Sequence, residues 1–71
     1  MTVNYDKVAD AVYIKIRSGK VKSTKEISSS ILHDLDKSGN VLGIELLNAS
    51  NQFSPGTLER GVENGIMKKL K

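Results

Sequence analysis

Seventy-one residues suffice for one domain, and at this length folding buries only about 60% of the surface that the unfolded chain exposes. The chain has no cysteine, one histidine and a formal net charge of +3, which excludes a disulfide or Cys/His-metal staple, and no run approaches the roughly 18 apolar residues of a membrane span. A small core without staples relies on its own apolar residues or on surface borrowed from a second copy, so self-association is expected. Met1 to Asp6 lacks the basic-then-apolar order of a leader, and a cytoplasmic protein is expected.

Thr2 to Tyr5 is a short candidate strand, and Asp6 to Asp10 reads as a turn because Asp side chains bond nearby backbone N–H groups. From Ala11 to Arg17, Val12, Ile14 and Ile16 alternate with Tyr13, Lys15 and Arg17, the pattern of a half-buried strand. Ser18-Gly19-Lys20 gives a polar turn, and Val21 to Ile27 alternates more weakly, as an edge strand would. Ser28-Ser29-Ser30 breaks the pattern and is read as a loop, since no base is placed beside it.

Ile31 to Asp36 and Val41 to Leu47 flank Lys37-Ser38-Gly39-Asn40, which predicts a hairpin with Gly39 in the left-handed conformation. A regular ladder would set Leu35 opposite Val41, Asp34 opposite Leu42, His33 opposite Gly43 and Leu32 opposite Ile44. Leu32, Leu42, Ile44 and Leu46 would then share one face, and Ile31, Leu35, Val41 and Leu47 the other. Both faces would need a cover. The C-terminal segment supplies one: Ser54-Pro55 reads as a helix start, and Leu58, Val62, Ile66 and Leu70 form a stripe on a helix over about 55–70. Gly56, Gly61 and Gly65 weaken that helix, so packing must hold it. The expectation is therefore a single α+β domain over 1–71, with a sheet over 2–47 built as an antiparallel meander of four to five short strands, packed with one helix. The face of Ile31, Leu35, Val41 and Leu47 would meet a second subunit or a protein partner, a dimer being favoured.

Several motifs invite chemistry. Asp34-Leu35-Asp36-Lys37-Ser38-Gly39 with Glu45 beyond has the spacing of a calcium loop if Ser38 takes the third ligand position. Such a loop needs a helix on each side, and both flanks have strand composition, so the hairpin reading is preferred and no metal or other cofactor is expected. His33 has acids near it but no candidate nucleophile, and Asp34, Asp36 and Glu45 show no contrast of environment that would set one as acid and another as base. No catalytic residue is assigned. Asn48-Ala49-Ser50 matches a glycosylation acceptor in a chain with no secretory pattern.

Lys15, Arg17, Lys20, Lys22 and Lys25 carry five positive charges with no acid between them. Lysines that keep an edge strand from pairing with other chains are the preferred explanation, and contact with a polyanion such as nucleic acid, aided by a Lys68-Lys69-Lys71 tail, is the alternative. Tyr13 is the only aromatic near this stretch, which argues against base stacking.

Taken together, Tyr5-Asp6, Ala9-Asp10-Ala11, Tyr13-Ile14, Asp34-Leu35-Asp36, Gly39, Gly43-Ile44-Glu45 and Asn48-Ala49-Ser50 resemble the small prokaryotic family known as domain of unknown function family 2283, over Val3 to about Ser50. The family's usual pattern has an acid where Ser38 stands, Asp for Asn48 and Ile for Leu46. The resemblance implies the sheet-plus-helix fold and a bacterial or archaeal cytoplasmic setting, without an activity. An antitoxin-like or protein-binding role is the analogy it offers. The function expected is a small non-catalytic homo-oligomeric interaction module, with a nucleic-acid-binding regulator and a metal-binding domain or enzyme as alternatives.

Overall fold

The computed structural model describes residues 1–69. One sheet holds β1 (Thr2–Asp6), β2 (Ala11–Lys15), β3 (Ser23–Ser28), β4 (Ile31–Leu35), β5 (Val41–Leu46) and β6 (Lys68–Lys69), accompanied by helices α1 (Ala49–Gln52) and α2 (Thr57–Glu63). The α+β class agrees with the sequence reading. The strand number, the meander and the single long helix do not.

The strands lie in the order β3-β4-β5-β2-β1-β6, antiparallel except where β6 runs parallel to β1. A meander would put β3 beside β2. Instead β5 takes that place, and the chain from Ile16 to Lys22 crosses the ends of β5 and β4 to start β3 at the far edge. Ile16 and Arg17 donate backbone N–H groups to the Leu42 carbonyl at 2.8 and 3.2 Å, and Lys22 donates to the Leu35 carbonyl at 2.8 Å. The segment expected to be a tight turn around Ser18-Gly19-Lys20 is thus a crossing connection. Leu42 is buried beneath it, with Gly19 so close that a β-carbon there would meet the leucine side chain at 2.9 Å.

The hairpin turn forms as expected, with Gly39 at φ 86°. Its register then departs from the regular ladder. Leu35 pairs with Val41, but Asp34 pairs with Gly43, His33 with Ile44, Leu32 with Glu45 and Ile31 with Leu46. Leu42 is the extra residue of a β-bulge, and because side chains alternate, every later residue of β5 changes face relative to the expectation. Ile44 and Leu46 join Ile31, Leu35 and Val41, while Leu32 shares the opposite face with Asp34, Gly43 and Glu45. The bulge gathers the apolar residues of the hairpin other than Leu32 and the bulged Leu42 on one side.

That side carries the helices. Tyr5, Val12, Ala49 and Leu58 form the buried core, edged by Val3, Ile14, Leu46, Phe53, Val62 and Met67. The helix expected over about 55–70 spans Thr57–Glu63, because Gly65 at φ 74° ends it. Gly65 N–H bonds the Val62 carbonyl at 3.1 Å and Ile66 N–H the Gly61 carbonyl at 2.9 Å, the paired bonds of a Schellman stop. Past that stop Ile66 is 68% exposed, and Met67 folds back against Gly61 in its stead. Leu70, the last residue of the expected stripe, and Lys71 lie outside the described residues. Ser54 does not cap the helix through its side chain: Gly56 precedes α2, and the Ser54 hydroxyl pairs with that of Thr57 at 2.9 Å. Among the described residues no helix is long and apolar enough to cross a membrane.

Candidate functional site

Alternation along the strands divides the sheet into two chemically distinct faces. Thr2, Asn4, Tyr13, Lys15, Gly43, Glu45, Leu32, Asp34, Thr24 and Glu26 share register positions on the face away from the helices. Its central feature is built on Asp34. Tyr13 donates its hydroxyl to Asp34 Oδ2 at 2.8 Å, and Thr24 donates to Asp34 Oδ1 at 2.6 Å. To reach Asp34 from β2, the Tyr13 ring must cross β5, and it does so over Gly43, where any β-carbon would collide with the phenol. A glycine inside a strand marks such a close approach. Four strands are thereby tied by one carboxylate, one phenol and one missing side chain.

This arrangement keeps the phenol neutral. Burial first, then the hydrogen bond to Asp34 and the nearby charges of Asp34 and Glu45, push the Tyr13 hydroxyl up from 10.0 to about 12. A neutral phenol donating to a carboxylate that also accepts from Thr24 braces β2, β4 and β3 together. The native state keeps a proton that the unfolded chain loses above pH 10, so this contribution to stability is complete below pH 10 and is lost as pH rises through about 12. Tyr5 is also pushed up, by burial and then by Asp10. Ultraviolet titration should therefore show both tyrosinates forming later in the native protein than in guanidinium. The most delayed fraction should vanish in Tyr13→Phe; a native curve that superimposes on the denatured one would contradict the brace.

A second carboxylate closes the other end of the sheet. Asp10, at φ 53° in the β1–β2 turn, accepts from Ser50 N–H at 3.0 Å, Ser50 Oγ at 2.7 Å and Tyr5 Oη at 3.3 Å, while its own carbonyl accepts from Ala49 N–H at 2.9 Å. The Ser50 hydroxyl is the first cause of the lowered Asp10 carboxyl, and the Ser50 and Ala49 bonds to Asp10 hold α1 to the first hairpin. Residues Asn48-Ala49-Ser50 and Ala9-Asp10-Ala11, both part of the sequence resemblance, here form one latch. Ser50, the hydroxyl residue of the glycosylation-like triplet, is engaged in it.

The calcium-loop residues are likewise committed elsewhere. Asp36 accepts from Ser38 N–H and Asn40 N–H at 2.9 Å each and from Asn40 Nδ2 at 3.0 Å, so its carboxyl is held low by Asn40 first and, more weakly, by the Arg17 charge. Glu45 lies on the sheet with Tyr13 and away from that turn. His33 lies on the helix-bearing face, in register with Ile44 and Lys25, opposite to the face of Asp34 and Glu45. Among the described residues no group of three or more His, Cys, Asp or Glu side chains comes together in a way that could hold a metal ion.

Of the expected interaction residues, Ile31, Leu35 and Val41 share the helix-bearing face and are half-buried, while Leu47 lies just past β5 with its N–H bonded to the Ser30 carbonyl at 2.8 Å. Of the five basic residues, Lys25 sits within β3, whereas Lys15 ends β2 and Arg17, Lys20 and Lys22 lie in the crossing connection. Lys20 and Lys22 are joined there by Lys37, which sequence proximity could not indicate: a cleft of about 570 Å³ is lined by Gly19, Lys20, Val21, Lys22, Asp36, Lys37 and Ser38. The packing of the Tyr13 ring over Gly43 is not legible in the sequence either, although a glycine amid a strand pattern is its available sign.

No curated protein and no solved structure matches the chain. The family model described as protein of unknown function DUF2283 matches residues 2–50, the stretch that holds β1 to β5, the Tyr13–Asp34 brace and the Asp10–Ser50 latch, and the chain belongs to that family.

Proposed function

We propose that the protein is a small non-catalytic interaction module that works as a homo-oligomer, a dimer being the simplest form. It docks through the part of the helix-bearing face that α1 and α2 leave open. One observation carries this reading: among the described residues, the core under the helices draws on β1, β2 and β5 but takes no residue from β3 or β4. Ile31 and Leu35 of β4, with Val41 and Ile44 of β5, therefore form a half-buried apolar strip around His33, on the same face as that core. A second copy is the occupant that suits a chain with six buried apolar side chains among its described residues, since small domains commonly gain core by association. The bonds of Asp34 to Tyr13 and Thr24, and of Asp36 to Ser38 and Asn40, give both carboxylates a structural role, which supports the non-catalytic reading. A cytoplasmic prokaryotic setting is part of the same proposal and rests on the family resemblance.

Light scattering after size exclusion, over a dilution series, tests it. The expected mass is that of two chains, falling to one only at high dilution. Leu35→Asp should give one chain at every concentration with the far-ultraviolet spectrum of a sheet retained, because a charge within a docked apolar face is strongly opposed. A wild-type mass of one chain throughout would overturn the proposal.

A further inference from the structure

We propose that the end of the sheet formed by the crossing connection and the β4–β5 turn is a binding surface for the phosphodiester backbone of a single nucleic-acid strand. Five exposed cations from three separate stretches converge there. Lys15 and Arg17 line one cleft with Met1, Thr2, Ile16 and Ser18, while Lys20, Lys22 and Lys37 line the adjoining one. One acid, Asp36, lines these clefts; it stays ionised under the amide bonds of its own turn and Asn40, and the five cations outnumber it, while Asp34 lies on the sheet face bonded by Tyr13 and Thr24. Convergence of cations in adjoining clefts along one sheet end makes a strip that can follow a backbone, and the absence of an aromatic ring from both linings makes the recognition electrostatic and independent of sequence. Lys25, on β3 away from these clefts, is not part of the strip. This surface is separate from the apolar strip proposed for self-docking, so either proposal can fail alone.

Fluorescence anisotropy with a labelled single-stranded oligothymidylate at a series of salt concentrations tests it. Binding should weaken with salt at a log–log slope of about −3.5, given roughly 0.7 counterions released per phosphate contact at each of the five cations. Replacing Lys20, Lys22 and Lys37 together by Gln should reduce the slope by about 2, and Lys25→Gln should leave it unchanged. Far-ultraviolet spectra of both variants control for folding. Absence of binding at low salt, an unchanged slope in the triple variant, tighter binding of the corresponding duplex, or equal competition by polyglutamate would each overturn the proposal.

Discussion

Gly43→Ala should destabilise the protein by about 3 kcal/mol, lowering its melting temperature by about 15 °C. The added methyl would occupy the position of the Tyr13 phenol, and both partners are fixed: Gly43 by its pairing with Lys15 and Asp34, Tyr13 by its bond to Asp34. Overpacking alone costs about 1–3 kcal/mol. Displacing the ring also breaks a hydrogen bond to a carboxylate, worth roughly 1.5–3 kcal/mol. Against a total stability of roughly 4–10 kcal/mol for a chain of this size, the loss is large. A double-mutant cycle gives the decisive sign. In a Tyr13→Ala background the methyl has room, and Gly43→Ala should be neutral or stabilising by up to about 1 kcal/mol, since alanine loses less backbone freedom than glycine. An equal cost in both backgrounds would show that the collision is not the cause.

Leu58→Ala should cost about 3 kcal/mol and release α2 from the sheet while leaving the β2–β5 pairing in place. Leu58 is 3% exposed and is the one large side chain of α2 that is fully within the core. The helix has seven residues, contains Gly61 and has no side-chain cap, whereas isolated helices shorter than about 12 residues are marginal in water. Docking and helicity are therefore coupled. Amide hydrogen exchange should show Thr57 to Glu63 losing protection to a greater degree than Val12 and Ile44. Ile66→Ala provides the contrast: its side chain is mostly exposed, and the substitution should lie within about 0.5 kcal/mol of neutral. Equal effects at positions 58 and 66 would restore the continuous stripe that the sequence suggests and contradict the glycine stop.

That contrast shows where local pattern fails. Leu58, Val62 and Ile66 are equivalent by spacing, but spacing presumes that the helix continues. The left-handed Gly65 ends it, and Met67 takes the packing place against Gly61. A glycine by itself signals only permission to turn. Whether the chain turns depends on what the following residues gain, and here Lys68–Lys69 pair with β1.

The same limit applies to the binding surfaces. The basic run from Lys15 to Lys25 is continuous in sequence, but the crossing connection brings Lys37 to it and leaves Lys25 on a separate strand. Of the expected apolar set Ile31, Leu35, Val41 and Leu47, the first three share a face, for Leu35 and Val41 flank a turn whose geometry is local, while Leu47 lies past the end of β5. Ile44 and Leu46 were assigned to the wrong side because a single extra residue at Leu42 reverses all later alternation.

The sequence by itself determined the segments that become β1 to β5, though not β6, with the Asp36 to Asn40 turn, the edge position of β3 and the family to which residues 2–50 belong. Each of these follows from period-two alternation, turn chemistry or a motif carried by neighbouring residues. The tertiary structure decided the order that sets β5 beside β2, the bulge at Leu42, the length of α2, and the two carboxylate networks at Asp34 and Asp10. The two carboxylate networks join residues 21 and 40 positions apart, and one-dimensional periodicity carries no information about which distant segments meet.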